Sequence, residues 1–235
     1  MIYSKKLIHG RLIKRYKRFL ADVKLDDGKE VVAHCTNSGS MKSCIEEGAE
    51  VYLSPADDPK RKTRYTWEMI RINDSWVGIH TMRPNQLALE ALRNNEIPGL
   101  TGYTHIVPEV RIHDSRLDIM AENDREKCFL EVKNVTLKEG RYALFPDAVT
   151  TRGRKHLDTL VRIRREGHRA VMLYIIQRMD VDTFGPARNI DPAYSDALIR
   201  AVDEGVEVFP LQAEVSPVGI VIKESLPLSL HPEIF

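Results

Sequence analysis

The first third of the chain carries short apolar stretches that alternate with polar residues and are cut by turn signals. Phe19-Leu20-Ala21-Asp22-Val23-Lys24-Leu25 alternates in part, Asp26-Asp27-Gly28 is a hairpin signal, and residues 29–34 run back. Residues 50–53 form another short strand. Residues 63–72 alternate well, with Tyr65, Trp67, Met69 and Arg71 on one face, and residues 75–80 complete about five strands. Five short strands with no long helix between them fit a small barrel of the OB type. A generic β-sandwich is the competing architecture.

From Thr81 onward the period changes. Leu87, Ala88, Ala91 and Leu92 recur at helical spacing, with Asn85 as the candidate N-cap, and Asn94-Asn95 and Pro98-Gly99 end the helix. Residues 110–112, 116–121 and 127–135 are three consecutive strands, the last two joined by the turn Glu122-Asn123-Asp124-Arg125. Residues 151–166 predict a helix with Leu157, Leu160, Val161 and Arg164 on one stripe, closed by Gly167. Residues 170–177 form an apolar strand suited to the middle of a sheet. Asp191-Pro192 opens a helix that Gly205 ends, and residues 206–209 add a strand. Helix, three strands, helix, strand, helix, strand describes an α/β unit with a mixed sheet. The expected organisation is therefore a barrel over residues 1–82 and a mixed-sheet domain over residues 83–235.

Composition changes this picture little until it is resolved along the chain. Lys and Arg number 35 against 34 Asp and Glu, a net charge of +1 that by itself argues against a nucleic-acid partner. Residues 1–21, however, hold seven Lys or Arg and no acid, and residues 152–169 hold seven against two. Residues 180–235 hold three against ten acids, so the sum conceals two basic islands and an acidic C-terminal stretch. Cys35, Cys44 and Cys128 lie in no CxxC pair, which disfavours a structural zinc site and suits reduced thiols. The longest apolar run, residues 170–176, falls far short of the roughly 20 residues that cross a bilayer, and no apolar leader follows the basic N-terminus. A soluble cytoplasmic protein with no membrane partner is expected.

The chemistry concentrates in Arg116-Leu117-Asp118-Ile119-Met120 and Phe129-Leu130-Glu131-Val132-Lys133. Glu131 and Lys133, two apart on a strand, leave the same face. If the two strands pair through their four-residue turn, Asp118 meets Glu131 there. Two adjacent carboxylates repel unless a cation sits between them, and hard oxygen ligands suit Mg²⁺ or Mn²⁺. Lys133 would then orient water or stabilise a phosphate. This D…ExK hairpin followed by a helix is the signature of PD-(D/E)XK nucleases. The ordinary alternative is a Glu131–Lys133 salt bridge on a solvated sheet face.

A longer set of segments narrows the choice. Pro108-Glu109-Val110-Arg111, Ser115 to Asp118, Glu131-Val132-Lys133-Asn134-Val135-Thr136-Leu137, Phe145-Pro146-Asp147-Ala148-Val149-Thr150 and Arg152-Gly153-Arg154-Lys155-His156-Leu157 occur in order, followed by Ile176-Gln177-Arg178 and Asp191-Pro192-Ala193-Tyr194. Together they resemble the sugar fermentation stimulation family, SfsA. Ala33-His34-Cys35-Thr36-Asn37-Ser38-Gly39-Ser40-Met41 is similar to that family's AHCPNTGRM stretch, departing at Thr36, Ser38 and Ser40. The resemblance spans nearly the whole chain and implies an OB-like domain joined to a PD-(D/E)XK nuclease-like domain. It also implies DNA binding linked to sugar-metabolism genes. It places Glu109, Asp118, Glu131 and Lys133 in the nuclease-like site, Glu109 as an added acidic ligand. Gln177 could orient a water or phosphate beside it, and Asp147 is read first as a helix-start cap.

The basic islands suit a DNA partner read with little sequence specificity. Arg11, Lys14, Arg15, Lys17 and Arg18 are interleaved with Tyr16 and Phe19, and Arg152, Arg154, Lys155, Arg162 and Arg165 surround the helix stripe. Cations between aromatics suit phosphates and stacked bases, as in OB-type binders, and Tyr65 with Trp67 is a second aromatic pair of this kind. The rival readings are a non-catalytic DNA-binding regulator built on a nuclease-like scaffold and a small-molecule enzyme, and the sequence leaves monomer and homodimer both open.

Overall fold

The computed structural model describes residues 1–58 and 60–232. Its N-terminal part contains β1 (Ile8–Tyr16), β2 (Leu20–Leu25), β3 (Glu30–His34), β4 (Glu50–Pro55), β5 (Tyr65–Ile72) and β6 (Ser75–Gly78). Parallel pairing of Ala33 with Tyr65 and of His34 with Thr66 joins β3 to β5 and closes β1–β5 into a five-stranded OB-like barrel, excluding the open sandwich. β6 pairs only with β5, outside the ring. The five expected strands thus included β6 and omitted β1. Only Gly10 and Leu12 of β1 are buried, and a bulge after Leu12 interrupts the alternation, so charge hid the strand.

A second bulge, between Tyr52 and Leu53, leaves Glu68 as an extra residue on β5. A one-residue slip reverses which face a side chain leaves by. Trp67 and Met69, expected on one face, therefore enter different cores, Trp67 inside the barrel and Met69 against the second domain. Trp67 is fully buried with its indole N–H on the Met69 carbonyl at 2.9 Å, so it is a barrel-core residue and not a stacking platform. Tyr65 is half-buried against the same core.

The second part runs α1 (Arg83–Arg93), β7 (His105–Ile112), β8 (Ser115–Glu122), β9 (Lys127–Val135), β10 (Leu137–Glu139), β11 (Tyr142–Phe145), α2 (Thr151–Arg165), β12 (Arg169–Ile176), β13 (Thr183–Pro186), α3 (Pro192–Asp203), β14 (Glu207–Val215) and β15 (Ile220–Ser225). Six of the strands form a mixed sheet in the order β15-β14-β12-β9-β8-β7, with β9, β12 and β14 parallel at its centre. Helices α2 and α3 cover one face, while α1 and the barrel residue Met69 cover the other. The short strands β10, β11 and β13 make a separate small sheet. These three, at three or four residues each, were too short to show a period. β15 leaves most of its residues exposed and was also missed.

Thr150 caps α2 and Asp191 caps α3, each through its side chain to the third residue on. The cap of α2 is thus Thr150, not Asp147. Helix α1 begins after Met82, which makes no side-chain cap, and Asn85 lies inside its first turn. Tyr3 donates its amide to the Val218 carbonyl at 3.1 Å, and Ile220 donates to the Met1 carbonyl at 2.9 Å, so the N-terminus is pinned to the second domain. Among the described residues no helix is long and apolar enough to cross a membrane.

Candidate active site

The site forms where β8 and β9 part. Their main-chain ladder ends at Ile119 and Leu130, which puts Asp118 opposite Glu131. Asp118 then takes the next amide with its side chain, accepting from Val132 N at 2.8 Å. Its other oxygen accepts from Asn85 Nδ2 at 2.7 Å. Asn85, expected as a cap, instead reaches down from α1 to hold the carboxylate.

Glu131 is 2% exposed because α2 lies over its face of the sheet. Its Oε1 accepts from Lys133 Nζ and from His156 Nδ1. Arg152 Nε lies 3.4 Å from His156 Nε2. A guanidinium can only donate, so Nε2 is the acceptor and Nδ1 carries the hydrogen that goes to Glu131. Lys133 Nζ lies 3.3 Å from the same Nδ1, in contact rather than donating to it. The Glu131–Lys133 salt bridge of the ordinary alternative is present, but the face is enclosed and not solvated. The second oxygen, Oε2, is buried without any hydrogen-bond partner.

These surroundings push the two carboxyls apart. Burial, then the neighbouring Glu131 charge, raises Asp118 above its ordinary value, against the opposing pull of the Val132 amide, Lys133 and Asn85. Burial also works upward on Glu131, but the His156 N–H and the Lys133 cation outweigh it and hold Glu131 below its ordinary value. Opposite shifts on adjacent titratable groups are a mark of reactive sites.

Asp118, Glu131 and Lys133 open into a cavity of about 570 Å³ walled by both domains, with Asn37, Ser38 and Gly39 on the barrel side and residues 145–150 on the other. Arg15 shapes the barrel wall, donating to the carbonyls of Asn37 at 2.9 Å and Gly39 at 3.2 Å. Asp147 lines the cavity and accepts from Met41 N at 3.4 Å. Two expected members are elsewhere. Glu109 keeps the β7–β8 register opposite Asp118, but its backbone is left-handed with φ of 56°, and its side chain is exposed and pairs with Arg116. Gln177 is buried between the domains, bonded to Asn134 Oδ1 at 2.8 Å. Among the described residues no group of three or more His, Cys, Asp or Glu is arranged around a metal position, so the three-carboxylate set of Glu109, Asp118 and Glu131 is not assembled.

The basic islands divide in the same way. Arg18 and Arg152 line the cavity. Lys17 stands exposed beside Arg18 in the β1–β2 turn. Arg11 pairs with Glu50, Lys14 with Asp22, Arg154 with Asp191 and Lys155 with Asp114. Further along α2, Arg165 pairs with Glu204, and Arg169 beyond it with Glu207. Glu204 and Glu207 of the acidic C-terminal stretch thus neutralise the far end of the second basic island. Sequence reasoning missed His156 and Asn85. The signal for His156 was its place on the buried stripe with Leu160 and Ile163, where an imidazole requires a partner.

A family model described as the sugar fermentation stimulation protein RE domain matches residues 82–219, and one described as the SfsA N-terminal OB domain matches residues 13–79. A sugar fermentation stimulation protein homolog of Geobacter sulfurreducens is 49% identical over 229 residues, covering 97% of this chain and 98% of that protein. A homolog of Pelobacter propionicus is 49% identical over 225 residues, covering 95% and 98%. The solved structure of Pyrococcus furiosus SfsA in complex with Ca²⁺ is similar over 97% of this chain and 98% of that one, with a TM-score of 0.89 and 27% identity.

Proposed function

The chain belongs to the sugar fermentation stimulation protein family, and we propose that it is a DNA-binding protein whose interdomain cavity is a divalent-metal-dependent phosphodiesterase site. The observation that carries this reading is Glu131 Oε2, a buried carboxylate oxygen with no partner, beside a second carboxylate and a lysine. An unpaired buried charge is costly, and a hard cation is the partner such oxygens suit. The Ca²⁺ complex of the Pyrococcus relative supports the same choice. Asp118 and Glu131 would hold the ion, with Mg²⁺ or Mn²⁺ as the working metal. The ion would supply Lewis-acid polarisation of a phosphodiester oxygen.

The chain's own residues do the rest. Asn85 and the Val132 amide fix the Asp118 carboxylate, and His156 and Lys133 hold Oε1 of Glu131, which leaves Oε2 open to a cation. Lys133 offers N–H donors to charge developing on the phosphate. Arg18 and Arg152 hold the flanking backbone, and their contribution weakens as salt rises.

A second reading, a non-catalytic DNA-binding regulator of sugar-metabolism genes, draws on Glu109, whose turn to solvent leaves two carboxylates instead of three. The test is a cleavage assay with Mg²⁺ or Mn²⁺ comparing wild type, Glu131→Gln and Lys133→Ala. Cleavage by wild type that falls about 100-fold or more in both variants supports the phosphodiesterase, a loss in the range of a removed charge-stabilising donor. Activity surviving both substitutions overturns it, and DNA binding without cleavage assigns the regulator.

A further inference from the structure

Of the large apolar side chains that stand exposed, Val149 lines the cavity that holds Asp118 and Glu131, and Phe19 and Met82 directly follow its lining residues Arg18 and Thr81 in the chain. They come from three separate segments, the β1–β2 turn, the start of α1 and the loop before α2. Phe19 is 46% exposed and stacks on His34 with ring centroids 6.4 Å apart and planes 20° from parallel. Its position is set by backbone: Lys17 and Arg18 have φ of 47° and 65°, Arg15 Nε donates to the Arg18 carbonyl at 3.0 Å, and Cys35 N donates to the Phe19 carbonyl at 2.8 Å. Among the described residues Lys17, Arg18 and Arg152 pair with no carboxylate, unlike Arg11, Lys14, Arg154 and Lys155. Three cations of the two islands that pair with no carboxylate thus lie on or next to the cavity lining, whereas Lys6 and Arg164, also without one among the described residues, are not part of it.

Depth decides what can use this mouth. Glu131 is almost fully enclosed, and the cavity volume of about 570 Å³ is that of a site for one drug-sized ligand. A base-paired stack cannot enter such a space, whereas an unpaired nucleotide can leave its stack and do so. We propose that the site takes DNA with unpaired nucleotides, a single strand or a single-stranded tail, with a base stacked on Phe19 and the backbone passing between Arg18 and Arg152 to Glu131. This rests on the phosphodiester reading above and adds its substrate class. Aromatic stacking with flanking cations is how sequence-tolerant single-strand binders work. It gives each exposed side chain a role: Phe19 meets a base face, Met82 and Val149 shield the entrance from water, and Lys17 neutralises the incoming backbone.

The experiment measures fluorescence anisotropy of labelled oligonucleotides of one sequence, as a single strand, a blunt duplex and a tailed duplex, with the full chain in Ca²⁺. Binding of the single strand and the tailed duplex at least about ten-fold tighter than the blunt duplex is expected. Phe19→Ala weakens single-strand binding about five-fold or more, in the range of one lost base stack, and leaves the blunt duplex and the melting temperature unchanged. Phe19→Trp restores it. Equal affinity for single strand and blunt duplex, or no effect of Phe19→Ala, overturns the proposal. The same oligonucleotides with Mg²⁺ or Mn²⁺ keep the two readings apart. Equal cleavage of all three overturns the substrate class and leaves the phosphodiesterase standing. Single-strand binding without cleavage of any does the reverse.

Discussion

Asp118 Oδ2 accepts the amide N–H of Val132 at 2.8 Å where the β8–β9 ladder ends, so one carboxylate both finishes a sheet and begins a site. The strands can part at this point because the side chain takes the amide that a main-chain carbonyl would otherwise take. Glu131, directly opposite, is left facing the gap that opens.

Oε2 of Glu131 is buried without a hydrogen-bond partner, a cost that a bound cation would offset. Ca²⁺ or Mn²⁺ should therefore raise the protein's stability, by about 2.7 kcal/mol at a hundred times the dissociation constant. Glu131→Gln should abolish the effect. Thermal melts with and without the ion measure it, and an equal rise in the variant would place the ion elsewhere.

Asn85 and His156 orient the two carboxylates without themselves facing a metal position. Asn85→Ala should weaken divalent-ion binding about 10- to 100-fold while the fold persists, as losses of such supporting hydrogen bonds do. His156→Leu should do the same. His156→Asn, whose amide can take the place of Nδ1–H, should recover part of the loss. Isothermal titration with Ca²⁺ or Mn²⁺ separates the three.

Arg178 is fully buried and ties the domains, donating to the Thr136 carbonyl at 2.6 Å, to Ser43 Oγ at 3.2 Å and to Asp180 at 2.7 and 2.9 Å. Burial pushes the Asp180 carboxyl up, but hydrogen bonds from Arg178 and Lys138 outweigh it and carry it far below the ordinary carboxylate range. A depressed folded-state value means the contribution is present above the unfolded value of about 3.9 and is lost as pH falls toward the folded one. Stability should drop on acidification below about pH 4, and Asp180→Ala should remove this part of the slope. The variant should also cost about 3–5 kcal/mol at neutral pH by stranding the guanidinium. Urea denaturation across pH reads both effects.

Gly78 closes the same junction. Its amide donates to the Gln177 carbonyl at 2.9 Å, and a Cβ there would come within 2.3 Å of Gln177 Oε1. Gln177 is itself buried and cannot swing away. Gly78→Ala should destabilise the protein by about 1–3 kcal/mol through overpacking. A denaturation midpoint unchanged from wild type would show that the junction can yield.

What the sequence determined by itself was local. Alternation and turn residues placed β2–β6, helical spacing and caps placed α2 and α3, and the i, i+2 spacing of Glu131 and Lys133 put both on one face of a strand whose turn brought Asp118 opposite. Only tertiary structure decided the rest, because it depended on register and on neighbours distant in the chain. A bulge at Glu68 sent Trp67 into the barrel, and at Glu109 a left-handed backbone goes with an expected ligand turned to solvent. Packing of α1 and α2 on opposite faces of the sheet brought Asn85 and His156, 71 positions apart, to the two carboxylates. The same packing sorted the cations, pairing Arg11, Lys14, Arg154, Lys155 and Arg165 with carboxylates from other elements while Lys17, Arg18 and Arg152 pair with none beside one cavity. Single-residue slips and long-range pairings carry no period along a chain, so no pattern of hydrophobic and polar positions could have announced them.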